Sequence, residues 1–137
     1  MVGRAAFVGE TESGHKTTID GPDDGEGGRN LGPRPTMETV LLGMGACASY
    51  DTVSILKKTR QNVTDCTIEL QAERANEIPS VFTEIHVHFK VTGIDLIEKY
   101  VERAINLFAE KYCSASIMLG KAAKTSHFFE INKPPGN

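Results

Sequence analysis

The chain has 137 residues, of which 39% are hydrophobic and 24% charged, and its formal net charge is −3. This length fits one domain, and the composition is ordinary for a globular protein. The acidic balance argues against a nucleic-acid partner, which would select a basic patch. No stretch approaches the roughly 18 apolar residues of a membrane helix, and the N-terminus lacks the apolar run of a secretory signal. We therefore expect a cytoplasmic protein with neither a nucleic-acid nor a membrane partner.

The N-terminal part predicts a short hairpin followed by a loop. Residues 5–20 carry two strand-like segments around the turn signal Glu12-Ser13-Gly14. Residues 21–35 are rich in glycine and proline, which predicts a long loop. A loop of this length is uncommon in a compact domain, so it could line a site or reach a partner.

The longest helical pattern covers residues 36–59. Apolar side chains recur there at three- and four-residue steps, and Pro35 stands where a first-turn proline belongs. Gly43 and Gly45 each cost a helix about 1 kcal/mol in propensity. We therefore expect another element, such as the same helix of a second subunit, to approach this helix closely.

The second half predicts strands, then helices, then a strand. Alternating polar and apolar residues predict half-buried strands at Thr67–Glu73 and Val81–Val91. Asp95 is expected to cap a helix, with Glu98 completing a box-like start, and Ser114 to cap a short third helix. A last strand is predicted at Thr125–Ile131. The expected class is α+β.

Three cysteines, an odd number, make a disulfide framework improbable in a chain expected to be cytoplasmic. Cys47 lies on the apolar stripe of the long helix, which is typical of a small core residue. Small neighbours would nevertheless admit a substrate or another chain, and Asp51 stands one turn away, where a carboxylate disfavours a thiolate. Cys113 precedes a predicted helix start, where the helix dipole would lower its pKa. Cys66 begins a strand and is expected to be structural.

Other chemistry-bearing patterns are weak. His86 and His88 share one strand face at a spacing that can chelate a metal, but no third ligand stands nearby in sequence. A polar sheet face is the interpretation we favour. There is no P-loop, no GxGxxG motif, no CxxC and no GxSxG. Hydrolase, nucleotide and dinucleotide functions therefore lack support.

Two segments together resemble one known family. GPRPTMETVLLGMGACASYDTVSILKK, residues 32–58, resembles the central helix of the OsmC/Ohr family of osmotically inducible and organic-hydroperoxide-resistance proteins. EKYCSASIML, residues 110–119, resembles that family's second cysteine region. The order of predicted elements also agrees with the family over nearly the whole chain. The implied arrangement is one OsmC-like domain over residues 1–137, with strands and loop at 1–34, the cysteine helix at 35–60, two strands at 63–92, helices at 95–123 and a final strand at 125–132.

The resemblance implies a fold, a partner and a chemistry. The fold would be an intertwined homodimer whose antiparallel sheets wrap central helices. Cys47 would be the peroxidatic thiolate that attacks a small-molecule hydroperoxide, and Cys113 the resolving thiol. A dithiol reductant would reopen their disulfide, and no metal or organic cofactor would be needed.

The resemblance also implies an activating pair that this sequence matches only loosely. The peroxidase branch of the family places a glutamate just after the proline, where this chain has Met37, and Glu38 follows one residue later. That branch also uses an arginine from the N-terminal half to hold the thiolate. Arg34 and Arg29 are the candidates, with Glu38 orienting the arginine.

The function implied by the resemblance is a thiol-dependent hydroperoxide reductase that prefers organic hydroperoxides. One alternative is a non-enzymatic dimer that binds a small apolar or sulfur-containing molecule, or senses redox state slowly, on the same scaffold. Another is a structural dimer whose cysteines are inert.

Overall fold

A computed structural model describes residues 7–19 and 36–135. It contains five strands and three α-helices within those ranges. Their bounds are β1 Phe7–Glu10, β2 Lys16–Ile19, α1 Thr36–Lys58, β3 Asn62–Arg74, β4 Phe82–Ile94, α2 Glu98–Leu107, α3 Ser114–Gly120 and β5 Lys124–Asn132. The α+β class is thus confirmed. The predicted loop 21–35, with Arg29, Arg34 and Pro35, lies outside the described residues.

The chain divides into two compact units, residues 1–43 and 44–137. In the first unit, β1 and β2 form the predicted antiparallel hairpin, with Phe7 opposite Ile19. Gly14 takes a positive φ of 88° at the turn, a conformation that glycine adopts without steric cost. The turn predicted at Glu12-Ser13-Gly14 is therefore where the structure has it.

The second unit contains a three-stranded sheet in the order β3-β4-β5. β3 and β4 form a long antiparallel hairpin, whereas β5 runs parallel to β4. The expected antiparallel pairing is confirmed for β1–β2 and β3–β4 and was wrong for β5. The chain between β4 and β5 passes through two helices, and a crossover of that length returns it in the same direction.

The core of the second unit lies under the central strand β4. Its inward side chains alternate as the sequence predicted, and α1 and α2 add further apolar residues. The buried members are Met44, Ala48, Leu56, Phe82, Ile85, Val87, Phe89, Val91, Val101, Ala104, Ile105 and Phe108. On α1, a side chain at Gly45 would come within 2.9 Å of Leu70 Cδ1. The glycine therefore lets β3 pack closely against the helix.

Two boundary predictions were wrong. The strand predicted to begin at Val81 begins at Phe82. Phe82 is buried and Val81 is exposed, because the pairing register shifts at Glu73/Arg74 and changes the phase of the alternation. Asp95 does not cap α2: the helix begins at Glu98, and its N-cap is Ile97 without a side-chain cap bond. Asp95 instead has φ 53° just after β4, a left-handed conformation that aspartate tolerates better than most residues.

The Phe89–Phe108 pair should be the main contributor to stability within this core. Both rings are buried, with centroids 5.1 Å apart in an edge-to-face arrangement. We expect Phe89→Ala to lower the free energy of unfolding by about 3–5 kcal/mol, since it removes a large buried side chain and leaves a cavity. Phe128→Ala is the matched control, because its ring is 52% exposed. Denaturant unfolding that gave the two variants equal losses would contradict this assignment of the core.

Within the described residues, α1 alone is long and apolar enough to cross a membrane by length and composition. The sequence did not predict a helix of this length and apolar composition as a membrane candidate, because small residues, and not a continuous run of large ones, make α1 apolar. The same test is passed by core helices of globular proteins. Only 28% of the apolar window is buried, so much of the helix surface is available to contact another molecule.

Candidate redox site at Cys47 and Cys113

The first site residue, Cys47, lies half-buried on α1, one turn before Asp51. Residues four apart on a helix are neighbours on one face. The Cys47 thiol accordingly donates a hydrogen bond to Asp51 Oδ2 at a distance of 3.7 Å. The sequence foresaw this pair because the spacing alone determines it.

The second site residue, Cys113, directly follows a π-helical turn. After α2 the chain makes one π-helical turn, Phe108–Tyr112, in which the Cys113 N–H donates to the Phe108 carbonyl five residues back at 3.0 Å. Such π-helical turns are rare and frequently occur at functional sites. Here the turn ends at Cys113, whose side chain is fully buried.

Cys113 itself, and not Ser114, is the N-cap of α3. Its Sγ accepts the Ser116 N–H at 3.3 Å, in the way that a serine or aspartate oxygen does at other helix starts. The sequence predicts the cap at Ser114, because serine is a preferred cap residue and cysteine is not. Ser116 has no signal in the sequence, because it contributes a backbone N–H that no side-chain pattern reveals.

The predicted lowering of the Cys113 pKa was wrong in sign. Burial, together with a hydrogen bond to Cys47, raises the pKa of Cys113 to about 12, although the Ser116 N–H acts in the opposite direction. Removing a thiolate from water outweighs one backbone donor at the start of a seven-residue helix. Cys113 is consequently a thiol at neutral pH.

The structure brings these residues together. The two sulfurs and one carboxylate oxygen of Asp51 all lie within 4.8 Å of one another, although the two cysteines are 66 residues apart in sequence. A disulfide needs an S–S length of about 2.05 Å, so the sulfurs would have to approach one another further to form one. Thiolate and carboxylate donors also suit Zn²⁺, but both thiols would first have to lose their protons.

The other predicted site residues are not part of this cluster as described. Glu38 lies in the first turn of α1 with its side chain exposed, and the candidates Arg34 and Arg29 fall outside the described residues. Within residues 7–19 and 36–135, Asp51 forms no salt bridge. The activating arginine therefore stays a prediction.

Cys66 and the paired histidines lie elsewhere on the sheet. Cys66 is half-buried in β3, and burial, with the Asp65 carboxylate second, raises its pKa to about 11. His86 is 2.7 Å from the Ser126 hydroxyl, and His88 Nε2 is 3.0 Å from a Glu130 carboxylate oxygen. These histidines thus contact β5 side chains on the polar face of the sheet, as the sequence pattern indicated.

A cavity of about 590 Å³ lies over the same polar face, away from the cysteines. It is lined by Gln71, Ala72, Glu73, Glu84, Ile85, His86, Lys124 and Ser126. None of these residues is a thiol, and the lysine and glutamates are common on solvated strands. The cysteine pair is therefore a better candidate for a reactive site than this cavity.

Residues 25–127 match the family model described as OsmC-like protein. The chain belongs to the OsmC-like family. Protein YhfA of Escherichia coli is 46% identical to it over 125 residues, which cover 91% of this chain and 89% of YhfA. The confirmed family accounts for the two cysteine segments by which the sequence resembled it.

Solved structures agree with this OsmC-like fold. A hypothetical protein from Aquifex aeolicus matches with a TM-score of 0.82 and 30% identity, covering 98% of this chain and 92% of that one. The organic hydroperoxide resistance protein OhrB of Bacillus subtilis matches with a TM-score of 0.56 and 20% identity, covering 91% and 96% of the two chains. The second likeness supports the fold alone.

Proposed function

We propose that this protein reduces small organic hydroperoxides through Cys47 and Cys113, with a dithiol as the reductant. The observation that carries the proposal is the approach of the two sulfurs to within 4.8 Å of each other. A half-buried thiol thus stands beside a buried one, which is the arrangement that a peroxidatic and a resolving cysteine would need. A protein that shares this fold, OhrB of Bacillus subtilis, is named for organic hydroperoxide resistance.

The proposed reaction has three balanced steps. The Cys47 thiolate attacks the O–O bond, giving a sulfenic acid and an alkoxide that leaves as an alcohol after protonation. The Cys113 sulfur then displaces the sulfenic hydroxyl, forming a disulfide and releasing water. A dithiol finally reduces that disulfide by exchange and is itself oxidised.

Two further residues have proposed roles that rest on the family resemblance. Arg34 would hold the Cys47 thiolate, and Glu38 would orient the arginine, because a carboxylate and a guanidinium pair with defined geometry. The chain is proposed to act as a single cytoplasmic OsmC-like domain with no bound cofactor.

We also propose that the working form is a homodimer in which α1 is covered by a second copy. Tyr50 is 75% exposed on this helix, where it lines a groove with Ser49, Val53, Ser54 and Lys57. A large aromatic side chain on an apolar helix is typical of an interface between subunits. The second copy would also limit access of water to the Cys47 side of the helix.

Tyr50→Glu should therefore convert the dimer to a monomer, because it places a charge in the apolar contact. Sedimentation velocity at micromolar concentration measures the change directly. Ile78→Glu serves as the control, since Ile78 is 98% exposed at the turn between β3 and β4. A Tyr50→Glu protein that sediments like the wild type would overturn the assignment of this face to the interface.

The function is tested by following tert-butyl hydroperoxide consumption with dithiothreitol and EDTA present. We expect multiple turnovers per protein, faster with tert-butyl hydroperoxide than with hydrogen peroxide. Consumption no faster than with the dithiol alone would contradict the proposal. EDTA chelates Zn²⁺, so consumption of the hydroperoxide in its presence cannot be due to a metal ion bound at the cysteine cluster.

The alternative is a slow redox sensor or small-molecule binder on the same scaffold. The observation that favours it is the partner of Cys47: the thiol donates to the Asp51 carboxylate at 3.7 Å, and within the described residues no salt bridge joins a cation to that carboxylate. This alternative predicts one stoichiometric oxidation without sustained consumption of the hydroperoxide, which the same assay distinguishes.

A further inference from the structure

The resolving step of the proposed reaction poses a problem of proton transfer. Cys113 must attack the Cys47 sulfenic acid as a thiolate, because the thiolate is the nucleophile in such chemistry. Its pKa of about 12 leaves very little thiolate at neutral pH. Burial, the first cause of that shift, persists when Cys47 is oxidised, so the resolving thiol needs a base close to it.

The cluster contains one group suited to this task. The Asp51 carboxylate lies within 4.8 Å of both sulfurs, and in the described part of the chain no further His, Cys, Asp or Glu belongs to the group. Asp51 is half-buried on α1, and its Oδ2 accepts a hydrogen bond from the reduced Cys47 thiol. The same carboxylate is therefore close both to the sulfur that must lose a proton and to the sulfur that would lose its hydroxyl.

We propose that Asp51 is the general base of the resolving step. It takes the proton from Cys113 as the S–S bond to Cys47 forms and the S–O bond of the sulfenic acid breaks. It then passes that proton to the departing hydroxide, which leaves as water. Sulfenic acid and thiol thus become disulfide and water, and the carboxylate is regenerated. This role rests on the proposed function and assigns it a further catalytic residue.

The surroundings of Cys113 support the transfer. The Ser116 N–H holds Cys113 Sγ at 3.3 Å, which fixes the direction of the sulfur and stabilises negative charge as it develops. The proposed role also gives a reason for a carboxylate beside the two sulfurs. Asp51 would accept a proton during the resolving step, and it would not have to stabilise a thiolate before that step.

The test separates oxidation of Cys47 from resolution by Cys113. Wild type and Asp51→Asn are mixed with tert-butyl hydroperoxide without reductant, quenched at intervals, and analysed by mass spectrometry after sulfenic acid trapping with dimedone. We expect Asp51→Asn to form sulfenic acid at no less than the wild-type rate, and to form disulfide about 10²-fold more slowly, as for loss of a general base. Dimedone should then label Cys47 in the variant far more than in the wild type.

Two variants control for charge and for structure. Asp65→Asn removes one carboxylate next to Cys66, outside the cluster, and should resolve at the wild-type rate. Asp51→Glu keeps a carboxylate and should recover most of the lost rate, whereas a merely structural role would not be rescued by a longer side chain. Thermal unfolding of each variant verifies that it is folded.

The outcomes are distinguishable. Disulfide formation by Asp51→Asn at the wild-type rate would overturn the role of Asp51 and leave the proposed function intact. Equal slowing of oxidation and resolution would overturn it too, because a general base for resolution affects only the second step. Wild-type protein that forms neither sulfenic acid nor disulfide would instead refute the proposed function.

Discussion

Cys47→Ser should reduce dithiol-dependent consumption of tert-butyl hydroperoxide to the level of the reductant alone. A serine hydroxyl is not an effective nucleophile toward peroxide oxygen, whereas a thiolate is. Serine can still donate to Asp51 Oδ2, the partner that the Cys47 thiol has at 3.7 Å, so the helix should be undisturbed. The rate is measured by the disappearance of hydroperoxide at fixed dithiothreitol.

The chain supplies its own control for this substitution. Cys66→Ser changes the same atom in β3, at a thiol whose pKa is raised to about 11 by burial and by Asp65. That thiol is protonated at neutral pH and should be inert, so the control should keep the wild-type rate. Equal activity of Cys47→Ser and the wild type would sink the peroxidase proposal.

Cys113→Ser should abolish turnover in a different way. Cys47 can still be oxidised once, but no second thiol lies ready to form the disulfide, so sulfenic acid persists. With excess hydroperoxide it should proceed to sulfinic acid, which thiols do not reverse. We expect a single fast oxidation, then loss of activity, with a mass increase of two oxygens on the Cys47 peptide.

The fold should tolerate this change. A serine oxygen can accept the Ser116 N–H that Cys113 Sγ accepts at 3.3 Å, and serine is a preferred N-cap. Cys113→Ala lacks that acceptor, so its free energy of unfolding should be about 1 kcal/mol lower than that of Cys113→Ser. Comparing the two variants therefore distinguishes the loss of the helix cap from the loss of the thiol. Sustained wild-type turnover by folded Cys113→Ser would show that external thiols resolve the sulfenic acid directly and that Cys113 is not needed.

Local patterns predicted much of the fold. The alternation in β3 and β4 and the apolar steps in α1 each predicted the correct element, because the period of apolar residues that marks a half-buried strand or helix is a local property of the sequence. The errors arose where long-range pairing or an unusual backbone decides. Phe82 is buried through a register shift, and β5 is parallel to β4 through a crossover.

The site was predictable in part for the same reason. The spacing of Cys47 and Asp51 places them on one helix face, so their contact follows from the sequence. The meeting of Cys47 with Cys113 does not, because it depends on how the π-helical turn and α3 pack; only the resemblance to a family implied it. The pKa direction of Cys113 was missed because burial of a thiol cannot be read from its neighbours in sequence.

Disulfide mapping after one equivalent of tert-butyl hydroperoxide tests the central claim most directly. The protein is oxidised without reductant, its remaining thiols are alkylated, and the peptides are identified by mass spectrometry. The account predicts a Cys47–Cys113 crosslink within one chain and a fully alkylated Cys66. Recovery of Cys47 and Cys113 as alkylated free thiols, or a crosslink through Cys66, would contradict it.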